Sequence, residues 1–287
     1  MRPELESSLQ RRLGVHHLRA TAISGGDIND AFRIDCAKGT LFVKANARAP
    51  RGLFEAEARG LAWLSEASAL RIPNVVAVSD PDEPVSYLVL EYIEPGRPAR
   101  DFDQALARGL AKLHRAGGER LGLDHDNFIG SLPQSNAAAP SWAEFYVSRR
   151  LAPLLERAAA TGKASYAMRR GFERLFSVLP GLVGPEEPPS RLHGDLWSGN
   201  LHVAEDGAPC LIDPAVYAGH REMDLAMMRL FGGFSERVFS AYHEAHPLAS
   251  GVEERVALYQ LYPLMVHVNL FGGSYVTSVE RALSRYV

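Results

Sequence analysis

The strongest signal of fold in this sequence is the stretch HGDLWSGN, residues 193–200 of 287. Within it Asp195 is followed five positions later by Asn200, which is the spacing H-x-D-x-x-x-x-N of a kinase catalytic loop. In such a loop the aspartate accepts a hydrogen bond from the attacking hydroxyl, and the asparagine offers an oxygen to Mg²⁺, a cation that prefers oxygen ligands. Aspartate, glycine and asparagine are also common in surface turns, so the stretch needs support from elsewhere in the chain.

A second aspartate gives that support. Thirteen residues after Asn200, Asp213 follows the apolar run Leu211-Ile212 and precedes Pro214-Ala215. The second Mg²⁺ ligand of a kinase falls at this position, where Phe-Gly usually follows it. Because an ordinary hairpin would not carry all three residues, we predict Asp195 as the catalytic group and Asn200 and Asp213 as metal ligands.

The N-terminal part of the chain carries a matching pair of charges. Lys44 ends the run LFVK, residues 41–44, which is similar to the kinase strand whose lysine binds the α- and β-phosphates of ATP. Glu57 lies beside the apolar stripe of the next predicted helix, where an unpaired carboxylate is costly. Lys44 is its natural partner, although both residues taken alone could be ordinary solvated charges.

Two further segments fit a nucleotide site by their position in the chain. The segment SGGDIN, residues 24–29, can bring backbone N–H groups close to phosphates, although a plain hairpin turn would look the same. From it we assign four residues to the nucleotide: Gly25, Gly26, Asp27 and Asn29. Glu91 and Ile93 lie at the end of the fifth predicted strand and just before the linker, where adenine would meet backbone groups, although a strand that simply enters a loop would look the same.

The order of predicted elements indicates the fold class. The first lobe is predicted as helix Glu4–Leu13, strands His17–Ser24, Asp30–Cys36 and Thr40–Ala45, helix Gly52–Glu66, and strands Val75–Ser79 and Val85–Tyr92. The segment EPGRP, residues 94–98, is rich in helix and strand breakers and is typical of a linker. We therefore predict an α+β, bilobal, protein-kinase-like fold. Residues 1–93 would form a small nucleotide-binding lobe with an antiparallel five-stranded sheet and one helix, and residues 94–287 a larger, mainly helical lobe for catalysis and substrate binding.

The second lobe is predicted as helices around a small β insert. Asp101–Arg115 and Trp142–Ala160 have the apolar spacing of helices, with Pro153 as a kink or break in the second. Gly117–Ala139 is predicted to be mostly loop. Arg191–Asp213 has the pattern of three short strands, and helices follow from residue 222 to the end.

Composition and charge exclude several classes of protein. Hydrophobic residues make up 46% of the chain and charged residues 23%, as in globular proteins. No apolar run is long enough for a membrane helix, and the N-terminus has no signal-peptide core. The net charge of −3 argues against a nucleic-acid partner. Cys36 and Cys210 lie far apart and are expected to be buried hydrophobes rather than a disulfide or metal pair. We expect a cytoplasmic protein whose oligomeric state the sequence leaves open.

Several stretches together resemble one known family. HGDLWSGN, the stretch LIDPAVYAGHREMDLAMMRLFGGF at residues 211–234, and the shorter SGGDIN, LFVKAN and FEAEARGL closely resemble the fructosamine kinase (ketosamine 3-kinase) family. That family is similar to aminoglycoside phosphotransferases and, more distantly, to protein kinases. The resemblance runs from about residue 25 to residue 234.

The resemblance implies a function. Members transfer the γ-phosphate of ATP, with Mg²⁺, to the 3-hydroxyl of a ketosamine, a sugar joined to an amine through the Amadori rearrangement. The phosphate then leaves by elimination and the amine, often a protein lysine, is regenerated, which makes the reaction a deglycation and repair step. By position, the family's roles fall on Asp195 for catalysis, Asn200 and Asp213 for Mg²⁺, Lys44 and Glu57 for the phosphates, Glu91 and Ile93 for adenine, and His193, Trp197 and Tyr217 for the substrate.

Three positions depart from the family's pattern. Ser24 stands where many members have a further glycine, and Ala218 stands near the expected acceptor site where members usually have an aromatic residue. The size preference for the substrate is therefore open. Some relatives have a cysteine in the phosphate loop, whereas this chain has Asp27, so we expect no redox control there.

Two other functions are alternatives to the ketosamine kinase hypothesis. The chain could phosphorylate an aminoglycoside, an amino sugar or an amino alcohol, and such polycationic ligands favour an acidic acceptor pocket. Between residues 122 and 150 the acidic residues Asp124, Asp126 and Glu144 are offset by Arg149 and Arg150. A non-catalytic pseudokinase should lack a catalytic group, yet Lys44, Glu57, Asp195, Asn200 and Asp213 are all present.

Overall fold

The computed structural model describes residues 1–23 and 29–287. An antiparallel sheet with strand order β1-β2-β3-β5-β4 occupies the N-terminal part. Its strands are β1 Leu18–Ile23, β2 Asp30–Cys36, β3 Gly39–Asn46, β4 Val75–Val78 and β5 Ser86–Glu91. All five strands predicted from the sequence are present, and each predicted end lies within one residue of the observed one.

Alternation along β3 determines which side chains face the cleft. Successive side chains of a strand point to opposite faces, so Leu41, Val43 and Ala45 share one face, and Phe42 and Lys44 share the other. The first face packs with helix α1 (Pro3–Leu13) in one apolar cluster. Lys44 therefore faces the side on which helix α2 (Leu53–Glu66) lies.

Helix α2 contacts both parts of the molecule. Its residues Phe54, Leu61 and Leu64 belong to an apolar cluster that also contains residues of the helical part, among them Val216. The backbone of α2 comes so close that a Cβ on Gly60 would lie 3.0 Å from Val216 Cγ2. This close contact fixes α2, and hence Glu57, relative to the segment that follows Asp213.

The rest of the chain is mainly helical, around a core of aromatic and aliphatic side chains. The helices are α3 Phe102–Ala116, α4 Trp142–Phe145, α5 Ala152–Ala160, α6 Tyr166–Val178, α7 Glu222–Leu230, α8 Glu236–Ala245, α9 Val252–Leu270 and α10 Ser274–Leu283. Among the described residues, no helix is both long and apolar enough to cross a membrane.

Pro153 does not break its helix as predicted. A π-helical segment, Tyr146–Leu151, joins α4 to α5, and the proline lies in the first turn of α5. Proline is tolerated in a first turn because it lacks the N–H that an interior position would need. The wider π turn therefore replaces the expected kink.

Short antiparallel strand pairs form the β insert and part of the predicted loop. The insert contains β8 Ser190–Leu192, β9 Leu201–Val203, β10 Pro209–Leu211 and β11 Tyr217–Gly219, where β9 pairs with β10 and β8 with β11. The first three match the sequence prediction, and β11 was not predicted. Within the predicted loop, β6 Asn127–Ile129 pairs with β7 Leu132–Gln134.

The predicted linker is tied to the β insert. Gly96 N donates to Val203 O at 2.9 Å, and a Cβ on Gly96 would lie 2.1 Å from Ala204 O. Only glycine fits such an approach without displacing the backbone.

Candidate active site

A cleft of about 970 Å³ lies between the sheet and the helical part. The sheet side contributes Phe42, Lys44, Leu90, Glu91 and Ile93, and α2 contributes Glu57. The opposite side contributes Asp195, Asn200 and Asp213. The predicted catalytic and metal-binding residues and the predicted lysine–glutamate pair therefore line one cavity.

Lys44 forms a buried ion-pair cluster in this cleft. Its Nζ lies 2.9 and 3.0 Å from the two Glu57 carboxylate oxygens and 3.0 Å from Asp213 Oδ1. Burial alone would lower the pKa of Lys44, but the two carboxylates outweigh that effect and raise it. Lys44 is therefore a fixed positive charge.

Asp213 has an unusual backbone conformation. Its φ of +54° lies in the left-handed region, which non-glycine residues seldom adopt and which aspartate tolerates better than most. The side chain is 41% exposed, whereas that of Lys44 is 8% exposed. Asp213 thus shares one oxygen with Lys44 while its carboxylate stays open to the cleft.

Asp195 and Asn200 are held together by the turn between them. Asn200 Nδ2 donates to Asp195 O at 2.8 Å, to Asp195 Oδ2 at 3.3 Å and to Asp213 O at 3.3 Å. Burial raises the pKa of Asp195 to about 7, with the nearby charge of Asp213 as the next cause. Because Nδ2 makes these three contacts, Asn200 Oδ1 remains as an acceptor at the cleft, which suits a cation that binds oxygen ligands.

Two residues that the sequence reasoning missed anchor this loop from below. Asp224, on α7, accepts hydrogen bonds from His193 N at 2.8 Å and Gly194 N at 2.9 Å. His114 Nε2 lies 3.2 Å from the same carboxylate, and its Nδ1 lies 2.7 Å from Tyr242 Oη. A carboxylate in the apolar stretch Met223–Met228 was a signal that could have identified Asp224, because a buried acid needs partners.

The predicted adenine site lies at the end of β5. Ile93 O accepts from His202 Nε2 at 3.2 Å, and no described residue accepts a hydrogen bond from Ile93 N. The Glu91 carboxylate is held by Arg71 Nη2 and Asn74 Nδ2, each at 2.8 Å, so its side chain is already paired. The predicted phosphate residues Gly25, Gly26 and Asp27 lie outside the described residues, whereas Asn29 lines the cleft.

The other end of the cleft is lined by an aromatic wall, which we define as Trp197, Phe231, His267, Phe271 and Tyr275. Ring centroids lie 6.3 Å apart for Trp197 and Phe231, and 4.9 Å apart for Phe231 and His267. His267 Nδ1 lies 2.7 Å from Pro263 O, an acceptor, so Nδ1 carries the proton. Burial lowers the pKa of His267, which keeps the ring neutral.

The structure does not bring two predicted substrate residues to the cleft. His193 and Tyr217 are both fully buried. His193 Nε2 donates to Ile212 O at 2.9 Å and its Nδ1 accepts from Asp195 N at 3.3 Å, so it supports the loop from inside. Tyr217 lies beneath Arg150, and its neighbour Ala218 in β11 is also buried. Direct contact of Tyr217 or Ala218 with a substrate therefore does not fit the structure.

The stretch between residues 122 and 150, expected to form the acceptor pocket, lies mostly away from the cleft. Only the hairpin residues 127–130 of that stretch reach the cleft. Asp124 is exposed beside Arg59, and Asp126 accepts from Asn136 N at 2.7 Å. These acids lie outside the cleft because the hairpin turns its inner face to the segment after Asp213.

A lysine–glutamate pair under a five-stranded antiparallel sheet, facing an aspartate, an asparagine and a second aspartate, defines the class of protein-kinase-like phosphotransferases. The family follows from comparison with known proteins. The model of the fructosamine kinase family matches residues 1–287, and the chain belongs to that family. It is a phosphotransferase that acts on a hydroxyl group.

Three relatives illustrate the range of similarity. A protein-ribulosamine 3-kinase of Arabidopsis thaliana is 35% identical over 93% of this chain and 82% of its own length. A crystal structure from Thermobifida fusca, provisionally named a fructosamine-3-kinase, is 37% identical with a TM-score of 0.88, covering 98% of this chain and 97% of its own. An aminoglycoside phosphotransferase in complex with AMP-PNP and hygromycin B shares the fold at 15% identity, with a TM-score of 0.67 over 98% and 96% of the two chains. The predicted fold class is confirmed.

Proposed function

We propose that this protein is an ATP-dependent kinase that phosphorylates the 3-hydroxyl of ketosamines, the fructosamine or ribulosamine adducts of amines and protein lysines, and so promotes deglycation. One observation carries the proposal: Lys44, Glu57, Asp213, Asp195 and Asn200 line a single cleft in a chain that matches the fructosamine kinase family throughout. The relatives named ketoamine kinase and protein-ribulosamine 3-kinase support the same substrate class.

ATP would occupy the sheet side of the cleft. Lys44, held by Glu57, offers its charge to the phosphates, and Ile93 N is a free donor for the adenine edge among the described residues. The glycine-containing residues 25–27 and Asn29 would complete the phosphate side. A protein of the same fold forms a complex with the ATP analogue AMP-PNP, which supports ATP as the donor.

Mg²⁺ fits the donors that Asn200 and Asp213 present. Asn200 uses its NH₂ group for protein contacts, so its amide oxygen can bind a cation. The Asp213 carboxylate is half exposed at the cleft. Both are oxygen ligands of the kind that Mg²⁺ prefers. When bound, the ion would neutralise phosphate charge during transfer.

Asp195 would orient and deprotonate the acceptor. Its carboxylate accepts the hydrogen bond of the 3-hydroxyl and takes the proton as the hydroxyl oxygen bonds to the γ-phosphorus. The bond from that phosphorus to the β–γ bridging oxygen breaks, and ADP leaves. Catalysis here is mainly positioning and electrostatic stabilisation, which fits the buried, fixed charges of the site.

The aromatic wall favours a ketosamine over an aminoglycoside. The described lining contains four carboxylates, those of Glu57, Glu91, Asp195 and Asp213, and each contacts another protein group. A polycation would find no further acid there, whereas Trp197 and its neighbours suit the C–H face of a sugar and a single ammonium group. The presence of every catalytic group also speaks against a pseudokinase.

We keep two further predictions within this proposal. The boundary between the nucleotide-binding lobe and the catalytic lobe falls at residue 94, before the linker, and the protein acts in the cytoplasm.

The test measures consumption of ATP in the presence of Mg²⁺ with ribulose-lysine and fructose-lysine peptides, beside a panel of aminoglycosides, with product masses read directly. A peptide that gains one phosphate and then loses its sugar supports the proposal and ranks the sugars. Phosphate on an amino sugar alone would replace it with the aminoglycoside alternative. Nucleotide binding without transfer to any acceptor would favour the pseudokinase.

A further inference from the structure

Arg150 is a fully buried cation that the proposed reaction does not use. It lies at the end of the π-helical segment, and no carboxylate of the described residues lies within ion-pair distance of it, in contrast to Arg221 and Arg255. A buried charge without a counter-ion costs several kcal/mol unless other groups compensate it. Its retention in the core therefore calls for an explanation.

Neutral groups compensate the charge. Arg150 Nη1 donates to Ser135 O at 2.6 Å and to Arg149 O at 3.1 Å, and Nη2 donates to Asn136 Oδ1 at 2.8 Å. The guanidinium carbon lies 3.9 Å from the ring centroid of Tyr217, a cation–π contact.

A chain of side-chain amides runs on from Arg150. Asn136 Nδ2 donates to Asn127 Oδ1 at 2.9 Å, and Asn127 Nδ2 donates to Val216 O at 2.8 Å. Gln134 Nε2 donates to the same Asn127 oxygen at 2.7 Å and to Ala215 O at 3.1 Å. The chain thus ends on two consecutive backbone carbonyls.

The charge of Arg150 sets the direction of the links through Asn136 and Asn127. A guanidinium has only donors, so Asn136 must turn its oxygen towards Arg150 and its NH₂ group away. That NH₂ group in turn requires the Asn127 oxygen, which leaves the Asn127 NH₂ group for Val216 O. Hydrogen bonds aligned in this way polarise one another and strengthen the whole chain.

The two carbonyls belong to the segment that follows Asp213. Ala215 N donates to His193 O at 2.9 Å, so Ala215 is held on one side by the catalytic loop and on the other by Gln134. On the other side of Asp213, Ile212 N donates to Asn200 O at 3.1 Å, so hydrogen bonds hold the chain on both sides of the left-handed Asp213.

We infer that Arg150 is a positioning residue for the metal-binding loop. Through Asn136 and Asn127 it holds the carbonyls of Ala215 and Val216 and so fixes the Asp213 carboxylate at Lys44. The link to Mg²⁺ rests on the proposed function, whereas the fixing of the loop does not.

The experiment compares Arg150→Met with Arg149→Met, the adjacent arginine, which bonds to Ala137 O and does not line the cleft. Hydrogen exchange of residues 212–217 is measured without nucleotide, metal or acceptor. We expect exchange to rise on the order of tenfold in Arg150→Met, the size typical of uncoupling members of one hydrogen-bond network, and to stay unchanged in Arg149→Met. The Mg²⁺ concentration for half-maximal turnover should rise in parallel.

Asn127→Asp is the second variant, in case Arg150→Met does not fold. It keeps the size and the accepting oxygen of Asn127 and removes the donor to Val216 O. Faster exchange in this variant supports the inference, and wild-type exchange in both folded variants, or in Asn127→Asp alone, overturns it. Absence of phosphate transfer to ketosamines by the wild type would instead contradict the proposed function, because the exchange measurement needs no substrate.

Discussion

Lys44 and Arg150 are both buried cations, yet their partners are of opposite kinds. Lys44 contacts three carboxylate oxygens of two acids at the edge of the cleft, whereas Arg150 contacts carbonyl oxygens, one amide oxygen and aromatic rings deep in the core. A flexible ammonium among acids can redistribute its contacts when phosphates arrive, whereas a planar guanidinium held by three hydrogen bonds and stacked on Tyr217 cannot. The comparison indicates that a buried cation among carboxylates is suited to bind a ligand, whereas a buried cation among carbonyls, an amide and aromatic rings is suited to stabilise the fold.

The largest effect is expected at Asp195, the proposed catalytic group that faces the Lys44 cluster across the cleft. Asp195→Asn should lower turnover by about 10³-fold, within the usual range for removal of a general base, while nucleotide affinity stays near wild type. Steady-state kinetics with a ketosamine peptide and calorimetric titration with ADP measure the two quantities. Turnover at the wild-type rate would remove Asp195 from the mechanism.

Next in size is the loss of the cation that faces the ligand. Lys44→Met should lower kcat/KM by about 10²-fold, as for loss of one electrostatic donor, and should raise the KM for ATP. The matched control is Lys112→Met, at an exposed lysine on α3 that bonds to Ser68 O. Equal losses in both variants would show that the effect is not specific to the Lys44 cluster.

For Arg150, the conservative substitution by lysine should lower stability. Arg150→Lys keeps the charge but loses the fork of donors and the flat stacking face, so we expect about 2 kcal/mol lower free energy of unfolding, the range for breaking a buried hydrogen bond to a charged group. Urea denaturation followed by fluorescence measures it. A stability equal to wild type would mean that charge alone is sufficient at this position and would weaken the contrast with Lys44.

The smallest effect is expected at the aromatic wall, which contains neither cation. Trp197→Leu should raise the KM for a ketosamine peptide about fivefold, corresponding to about 1 kcal/mol for a lost aromatic contact, and leave the KM for ATP unchanged. Phe271→Leu tests the far end of the same wall. A change in the KM for ATP alone would place the wall on the wrong side of the cleft.

The sequence allowed the β-sheet and the charged residues of the cleft to be predicted because their signals are local. Alternating apolar runs mark the strands, and Asp195, Asn200 and Asp213 occur within nineteen positions at fixed spacing. The environment of Arg150 could not be predicted in this way. Its burial depends on Asn136, Tyr217 and Tyr262, which come together only in the folded chain.

The same limit explains why two predicted substrate residues, His193 and Tyr217, lie away from the cleft. Tyr217 and His193 are close in sequence to the catalytic groups, but both side chains are buried. Tyr217 lies in β11 beneath Arg150, and His193 bonds to Ile212 O beneath the catalytic loop. Three members of the aromatic wall come from far along the chain: His267 from α9, Tyr275 from α10, and Phe271 from the turn between these helices. Only the packing of those helices brings them to Trp197.

The volume of the cleft has a consequence for the order of events in catalysis. The cleft of about 970 Å³ lies at the upper limit of the range of roughly 300–1,000 Å³ for ligand sites. Its two ends differ chemically, with charged residues at one end and the aromatic wall at the other. Because the two ends differ chemically, the proposed function places ATP at one end and the ketosamine at the other, so the phosphoryl group would pass directly between them without an enzyme-bound ester. Double-reciprocal plots at several fixed acceptor concentrations should intersect, and parallel lines would indicate a ping-pong mechanism instead.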